Sequence, residues 1–187
     1  DQFRSAGVSA AVVDDQQPVA DKIRAVGEYI GDPDAGEELA SSVEAQLADA
    51  AEAAGGDLKD LRVLVVTSSG AGGANAVVGS GTAAADIVEA VGAVNCGGEA
   101  ELRGYSGGYS DEGLLDLAPD VIGTGTGDLE EWGGLQGFLE AFPTLAETPA
   151  GQASNFILMP SEQIKVSGSA VGTGAIALAD ALGDIAS

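Results

Sequence analysis

Apolar residues along this chain follow two rhythms. Between residues 19 and 54 they recur at helical spacing, with Ile23, Val26 and Ile30 at i, i+3 and i+7, then Leu39, Val43 and Leu47 at steps of four. Gly31-Asp32-Pro33 interrupts the pattern, and Asp34 with Glu37 three residues later reads as an N-cap with a capping-box partner. Gly55-Gly56 ends the second helix. If straight, the span would extend about 50 Å at a rise of 1.5 Å per residue, long for a crossover within one domain. Ahead of it, Gly7–Val13 reads as a short buried strand, closed by Asp14-Asp15 and Pro18.

Beyond Gly56 the rhythm becomes strand, Gly-rich loop, helix, repeated. Arg62–Val66 is a continuous apolar run of the kind that forms a parallel strand covered on both faces. A flexible loop over 67–75 follows, then Val77-Val78, the turn Gly79–Thr82, and a helix carrying Ile87, Val88 and Val91 that Gly92 ends. Ser110 caps a short helix with Leu114, Leu115 and Leu117, stopped by Pro119. Val121-Ile122 predicts a second strand, and 128–142 one helix with Trp132, Leu135, Phe138, Leu139 and Phe142 as its buried stripe. Phe156–Met159 predicts a third strand and 170–183 a terminal helix. Strands alternating with helices of this length predict an α/β layered domain with a mostly parallel sheet.

Composition narrows the chemistry. Among 187 residues there is no His, which excludes Ser-His-Asp and Cys-His nucleophiles and His-ligated zinc. Cys96 is the only cysteine, which excludes internal disulfides and CxxC redox pairs. Thirty acids against seven basic residues give a net charge of −23, which would repel a phosphate backbone, so no nucleic-acid partner is expected. The acidity fits either adaptation to high salt or a bland acidic drift in an Ala- and Gly-rich chain. No apolar run reaches the roughly 18 residues that span a bilayer. No basic segment with an apolar core opens the chain, and Asp1 stands where Met would, as expected of a processed or truncated product.

Several motifs carry candidate chemistry. Gly79-Ser80-Gly81-Thr82-Ala83-Ala84 fits the GxGxxA form of the dinucleotide fingerprint, with Glu99 or Glu101 as a ribose partner; the other reading is a Gly-rich turn packing a helix on a sheet. Gly104-Tyr105-Ser106-Gly107-Gly108 fits GxSxG, but no strand precedes it and no His could serve it. The loop Arg103–Tyr109 is the most informative. Tyr105 and Tyr109 lie four apart among glycines beside Arg103. A phenolate there could ligate ferric iron with the guanidinium favouring ionisation, or Arg103 could pair with a ligand carboxylate. Alternatively one tyrosine packs with its hydroxyl hydrogen-bonded while the other lies at the surface. Asp128-Leu129-Glu130-Glu131 is explained by the helix dipole, and Cys96 by a small, partly buried site.

The order of these segments resembles the periplasmic-binding-protein family that serves iron, haem and cobalamin ABC importers. VADKIRAVGEYIGDPDAGEELASSVEAQLADA is similar to the family's connecting helix with its lead-in, and VVGSGTAAADIVEAVGAVN to the segment opening the second lobe. GYSDEGLLDLAPDVI and TLAETPAGQASNFILMP resemble its capped helix before a strand and its lead into the final strand. The resemblance implies an α/β second lobe, three-layered with a mostly parallel sheet, preceded by a long connecting helix. Residues 1–18 would be a remnant of the first lobe, 19–56 the connecting helical span and 57–187 the second lobe. It implies an extracytoplasmic substrate-binding component, periplasmic or lipid-anchored, that is not an enzyme and hands haem or a related iron complex to an ABC-importer permease. Siderophores, cobalamin and, from outside the family, a nucleotide-dependent enzyme using Gly79–Ala84 are the alternatives. Tyr105 would be the metal ligand, Arg103 and Tyr109 further ligand-binding residues, and Glu112 the permease-docking acid. Any second protein ligand to iron would lie outside this chain.

Overall fold

The computed structural model describes residues 2–14, 17–55, 58–68, 74–107 and 109–186. It begins with a short helix α1 (Gln2–Ser5), which ends at Gly7 with φ +74°. Residues 8–14 then form an irregular, largely exposed segment with no strand partner among the described residues. The strand read over 7–13 therefore does not form here: Val8 and Val12 face solvent, Val8 N bonds back to Phe3 O at 2.9 Å, and the Tyr29 hydroxyl makes a long bond to the Val12 carbonyl at 3.4 Å.

The helical span is two helices, α2 (Val19–Ile30) and α3 (Pro33–Ala54). Gly31, at φ +83°, ends α2, and Asp32 caps α3 by accepting from Ala35 N at 3.2 Å with Pro33 in the first turn. The cap thus lies two residues earlier than the Asp34 capping box. The chain folds back at this turn, so the span is a helical hairpin and not one straight rod. Gly27 and Gly36 form its closest contact: a Cβ on Gly27 would lie 2.7 Å from the Gly36 Cα. Across the outer edge Arg24 bonds Glu37 and Glu44, which holds both carboxylates below their ordinary range.

The sheet comprises β1 (Arg62–Thr67), β2 (Ala76–Val78), β3 (Val94–Asn95), β4 (Tyr105–Ser106), β5 (Val121–Gly125) and β6 (Phe156–Met159). Its order is β4-β2-β1-β5-β6, with β3 also paired to β1. β1, β3, β5 and β6 are parallel, in register Val63↔Val121 and Ile122↔Phe156. β2 and β4 add an antiparallel edge, in register Val66↔Val77 and Val78↔Tyr105. Side chains alternate across it: Val63 and Val65 enter one apolar cluster, Leu64 and Val66 the other. One face is covered by α3, α4 (Ala83–Ala90) and α11 (Ala170–Ala186), with α5 (Cys96–Glu99), α6 (Asp111–Asp116), α8 (Leu135–Ala141) and α9 (Pro149–Ala153) bordering the other. This is the expected three-layer α/β arrangement, completed by α7 (Thr126–Glu131), a 3₁₀ turn (Pro143–Glu147) and α10 (Ser161–Lys165).

The single helix read over 128–142 is instead α7 and α8. Gly133 and Gly134, at φ +76° and +95°, end the first and redirect the chain. Phe138 and Phe142 are buried as expected, but Leu135 is half exposed. No helix among the described residues is long and apolar enough to cross a membrane.

Candidate ligand-binding site

The carboxyl ends of β1 and β5 meet around Asp128, in the first turn of α7 and fully buried. Its Oδ1 accepts from Thr67 Oγ1 at 2.8 Å, Ser68 N at 2.9 Å, Ser68 Oγ at 2.7 Å and Lys165 Nζ at 2.7 Å. Burial alone would raise this carboxyl; Lys165, Ser68 and Thr67 outweigh it and hold it below the ordinary range. The Ser68 hydroxyl also contacts the Glu131 carboxylate. Asp128 is therefore an organising residue of the strand ends, where the sequence reading had only a dipole-complementing acid. The signal was absent because its partners lie 37 to 61 residues away. Among the described residues no cluster of three His, Cys, Asp or Glu could hold a metal ion.

Tyr105 opens β4, and its ring packs against the cluster beneath α4 and α11. Its hydroxyl donates to the Lys165 carbonyl at 3.1 Å. Burial first, then the Asp128 charge, push the phenol above its ordinary value. The resting side chain is thus a neutral phenol, and Arg103 is exposed at the strand's approach. Tyr105 borders a cavity of about 300 Å³ whose wall also includes Lys22, Gly81, Thr82, Lys165 and Ser167.

Tyr109 lies on the other side of the sheet. It stacks on Phe142 with centroids 5.8 Å apart and packs in the second apolar cluster beside Trp132 and Phe138. The two tyrosines four residues apart are therefore not brought together, because β4 is only two residues long and the chain leaves the sheet after Ser106. Glu112 is exposed in the first turn of α6, whose N-cap Ser110 accepts from Gly113 N at 3.0 Å. Cys96 is fully buried, and its thiol is pushed up to about 12 chiefly by that burial, so it is an unreactive core residue.

The Gly79-Ser80 half of the Gly79–Ala84 turn is committed to packing. Gly79 N donates to Gly104 O at 2.8 Å and Ser80 N to Leu102 O at 3.0 Å, and a Cβ on Gly79 would lie 2.2 Å from the Leu102 carbonyl oxygen. Two of the N–H groups a dinucleotide pyrophosphate would need are already used. The glycine serves close backbone approach, and the nucleotide reading loses its support. Ser106 likewise sits in a strand paired to Val77, not on a strand-to-helix elbow.

The comparisons with known proteins agree with this architecture. The family model described as periplasmic binding protein matches residues 1–163, so the chain belongs to that family. Members of this family work outside the cytoplasm as binding proteins. No curated protein sequence matches the chain. Among solved structures it is similar to the periplasmic haem-binding protein RhuT from Roseiflexus sp. RS-1 in its apo form, at 31% identity and a TM-score of 0.81, covering 100% of this chain and 71% of RhuT. It is similar to the periplasmic haem-binding protein BhuT in complex with two haems, at 26% identity and a TM-score of 0.75, covering 100% of this chain and 70% of BhuT. It is also similar to the haem-binding protein HmuT, at 27% identity and a TM-score of 0.78, covering 97% of this chain and 60% of HmuT.

Proposed function

We propose that this protein is the extracytoplasmic substrate-binding component of an ABC importer whose cargo is haem or a related iron complex. The observation that carries this reading is the similarity, over all of the chain, to the haem-binding protein RhuT at 31% identity. In this reading residues 1–18 are a remnant of the first lobe, residues 19–56 the connecting helical span and residues 57–187 the second lobe. Tyr105 is the iron-facing ligand, since it borders a cavity and its hydroxyl needs to give up only one bond, to the Lys165 carbonyl. Arg103, exposed beside it, contributes to ligand binding through a cargo carboxylate. Tyr109 supports the loop through its stacking on Phe142. Glu112, exposed at a helix N-terminus, steers docking onto a basic permease surface. The mature protein is held at the membrane's outer face by a lipid anchor or is free in the periplasm.

Ferric haem titrated into the protein should give a tyrosinate-type absorbance that Tyr105→Phe weakens strongly. Haem binding with an unchanged spectrum in that variant would remove Tyr105 from the site. No haem binding by the wild-type protein, with a ferric siderophore or cobalamin bound instead, would overturn the choice of cargo.

A further inference from the structure

The protein has only three lysines, Lys22, Lys59 and Lys165, in a chain of net charge −23. Two of them, from helices far apart in sequence, border the same cavity of about 300 Å³ as Tyr105. Lys22 is 7% exposed, yet no carboxylate lies within 4.0 Å of its ammonium among the described residues. Its Nζ donates to Ser167 Oγ at 3.3 Å, one bond for a group with three N–H donors. A buried ammonium is normally paired or fully hydrogen-bonded, because desolvating it otherwise costs several kcal/mol. Asp86 is the carboxylate whose charge acts on Lys22, from beyond ion-pair distance; its carboxyl is pushed up to about 6 by burial, and its Oδ2 is buried without a partner.

The rest of the wall is also donor-rich. Because Ser167 Oγ accepts from Lys22, its own hydroxyl proton is available to a further acceptor. Gly81, at φ +77°, and Thr82 bring the N-terminus of the eight-residue helix α4 to the cavity. The first-turn N–H groups of a helix lack intrahelical acceptors, and the Thr82 hydroxyl takes only that of Ala85, at 3.1 Å. The opposing acid, Asp128, is engaged by Lys165 at 2.7 Å. Spare side-chain donors, one of them a buried cation, thus face a space at the positive end of a helix. That is the arrangement that takes an anion.

We propose that this cavity is an oxyanion-binding site, in which the Lys22 ammonium, the Ser167 hydroxyl and the N-terminus of α4 hold one carboxylate or phosphate group. The oxyanion is either a carboxylate carried by the cargo or a free phosphate. The Gly81-Thr82 half of the glycine-rich turn then has a role that its Gly79-Ser80 half, bound to residues 102–104, does not share.

Two titrations of the protein test this, and only the second rests on the haem reading. Inorganic phosphate is expected to shift the amide resonances of Gly81, Thr82 and Ala83 saturably in the wild type and not in Lys22→Met. Haem is expected to bind about tenfold more tightly than its dimethyl ester, which has no free carboxylate, with the gap closing in Lys22→Met. Phosphate shifts without a preference over the ester support the site with a free anion as its occupant. A preference over the ester without phosphate shifts supports it with the cargo's carboxylate. Neither effect in the wild-type protein overturns the proposal, whatever Lys22→Met does to folding. Phosphate shifts in a protein that binds no haem would keep the oxyanion site and remove the haem reading.

Discussion

The hydroxyl of Tyr105 donates to the carbonyl of Lys165 at 3.1 Å, while the ammonium of the same lysine holds the buried Asp128 at 2.7 Å. One residue of α10 therefore ties the antiparallel edge of the sheet to the ends of its parallel strands. Tyr105→Phe removes one hydrogen bond and should lower unfolding free energy by about 1 kcal/mol in urea denaturation. Burial raises the phenols of both Tyr105 and Tyr109, so folding favours their neutral forms. Stability should accordingly fall as pH rises through the ordinary phenol range. Alkaline absorbance titration should show two late tyrosines in the wild type and one in Tyr105→Phe; unchanged late titration in the variant would contradict the assignment.

Asp128 is fully buried and Lys165 largely so, and breaking such a pair from one side removes the charge that offsets the burial of the other. Asp128→Asn should therefore destabilise the protein by about 3 kcal/mol. Adding Lys165→Met removes the ammonium that faced Asp128, so the double variant should recover part of that loss. A double variant as unstable as the sum of its two singles would show that the pair has no mutual coupling.

How much of this was legible in the sequence follows from how local each interaction is. β1 was readable because an unbroken apolar run suits a strand buried on both faces, β6 as a short apolar run, and Ser110 is a local cap that announces its helix. The hairpin of α2 and α3 was hidden, since Gly27 in a helical pattern says nothing of its packing against Gly36 until the chain folds back. The α7–α8 break depends on Gly133 and Gly134 taking positive φ within an otherwise helical stripe. At the site, spacing placed Tyr105 and Tyr109 together, but two residues of β4 are too few to carry an alternation through to Tyr109. The meeting of Lys22 with Ser167, 145 residues apart, leaves no local trace at all.

The Gly27–Gly36 contact makes its own prediction. A Cβ on Gly27 would meet the Gly36 Cα at 2.7 Å and the Asp32 carbonyl oxygen at 3.0 Å, both backbone atoms that cannot rotate away. Gly27→Ala should force the helices apart and cost about 1–3 kcal/mol, despite the better helix propensity of alanine. Glu28→Ala, on the exposed side of the same helix, should change stability by less than about 0.5 kcal/mol. Equal urea midpoints for the two variants would mean that the hairpin tolerates separation at this point.

Asp86 gives the chain a pH dependence of opposite sign to that of its surface acids. Its carboxyl is raised from 3.8 to about 6, first by burial, with Lys22 and the Val19 N–H opposing and Glu89 reinforcing. The folded protein therefore binds the proton more tightly than the unfolded chain, and this contribution is full below 3.8 and lost as pH rises through about 6. Glu37 and Glu44, held down by Arg24, act the other way and lose their contribution as pH falls below the ordinary carboxylate range. The difference between wild type and Asp86→Asn isolates the first effect, since the amide can still accept from Val19 N. The variant should gain about 1–2 kcal/mol at pH 8, less than the full linkage value because solvent screens part of the carboxylate, and the gain should vanish near pH 4. A difference in unfolding free energy that stays constant from pH 4 to pH 8 would show that Asp86 does not titrate between the folded and unfolded values argued here.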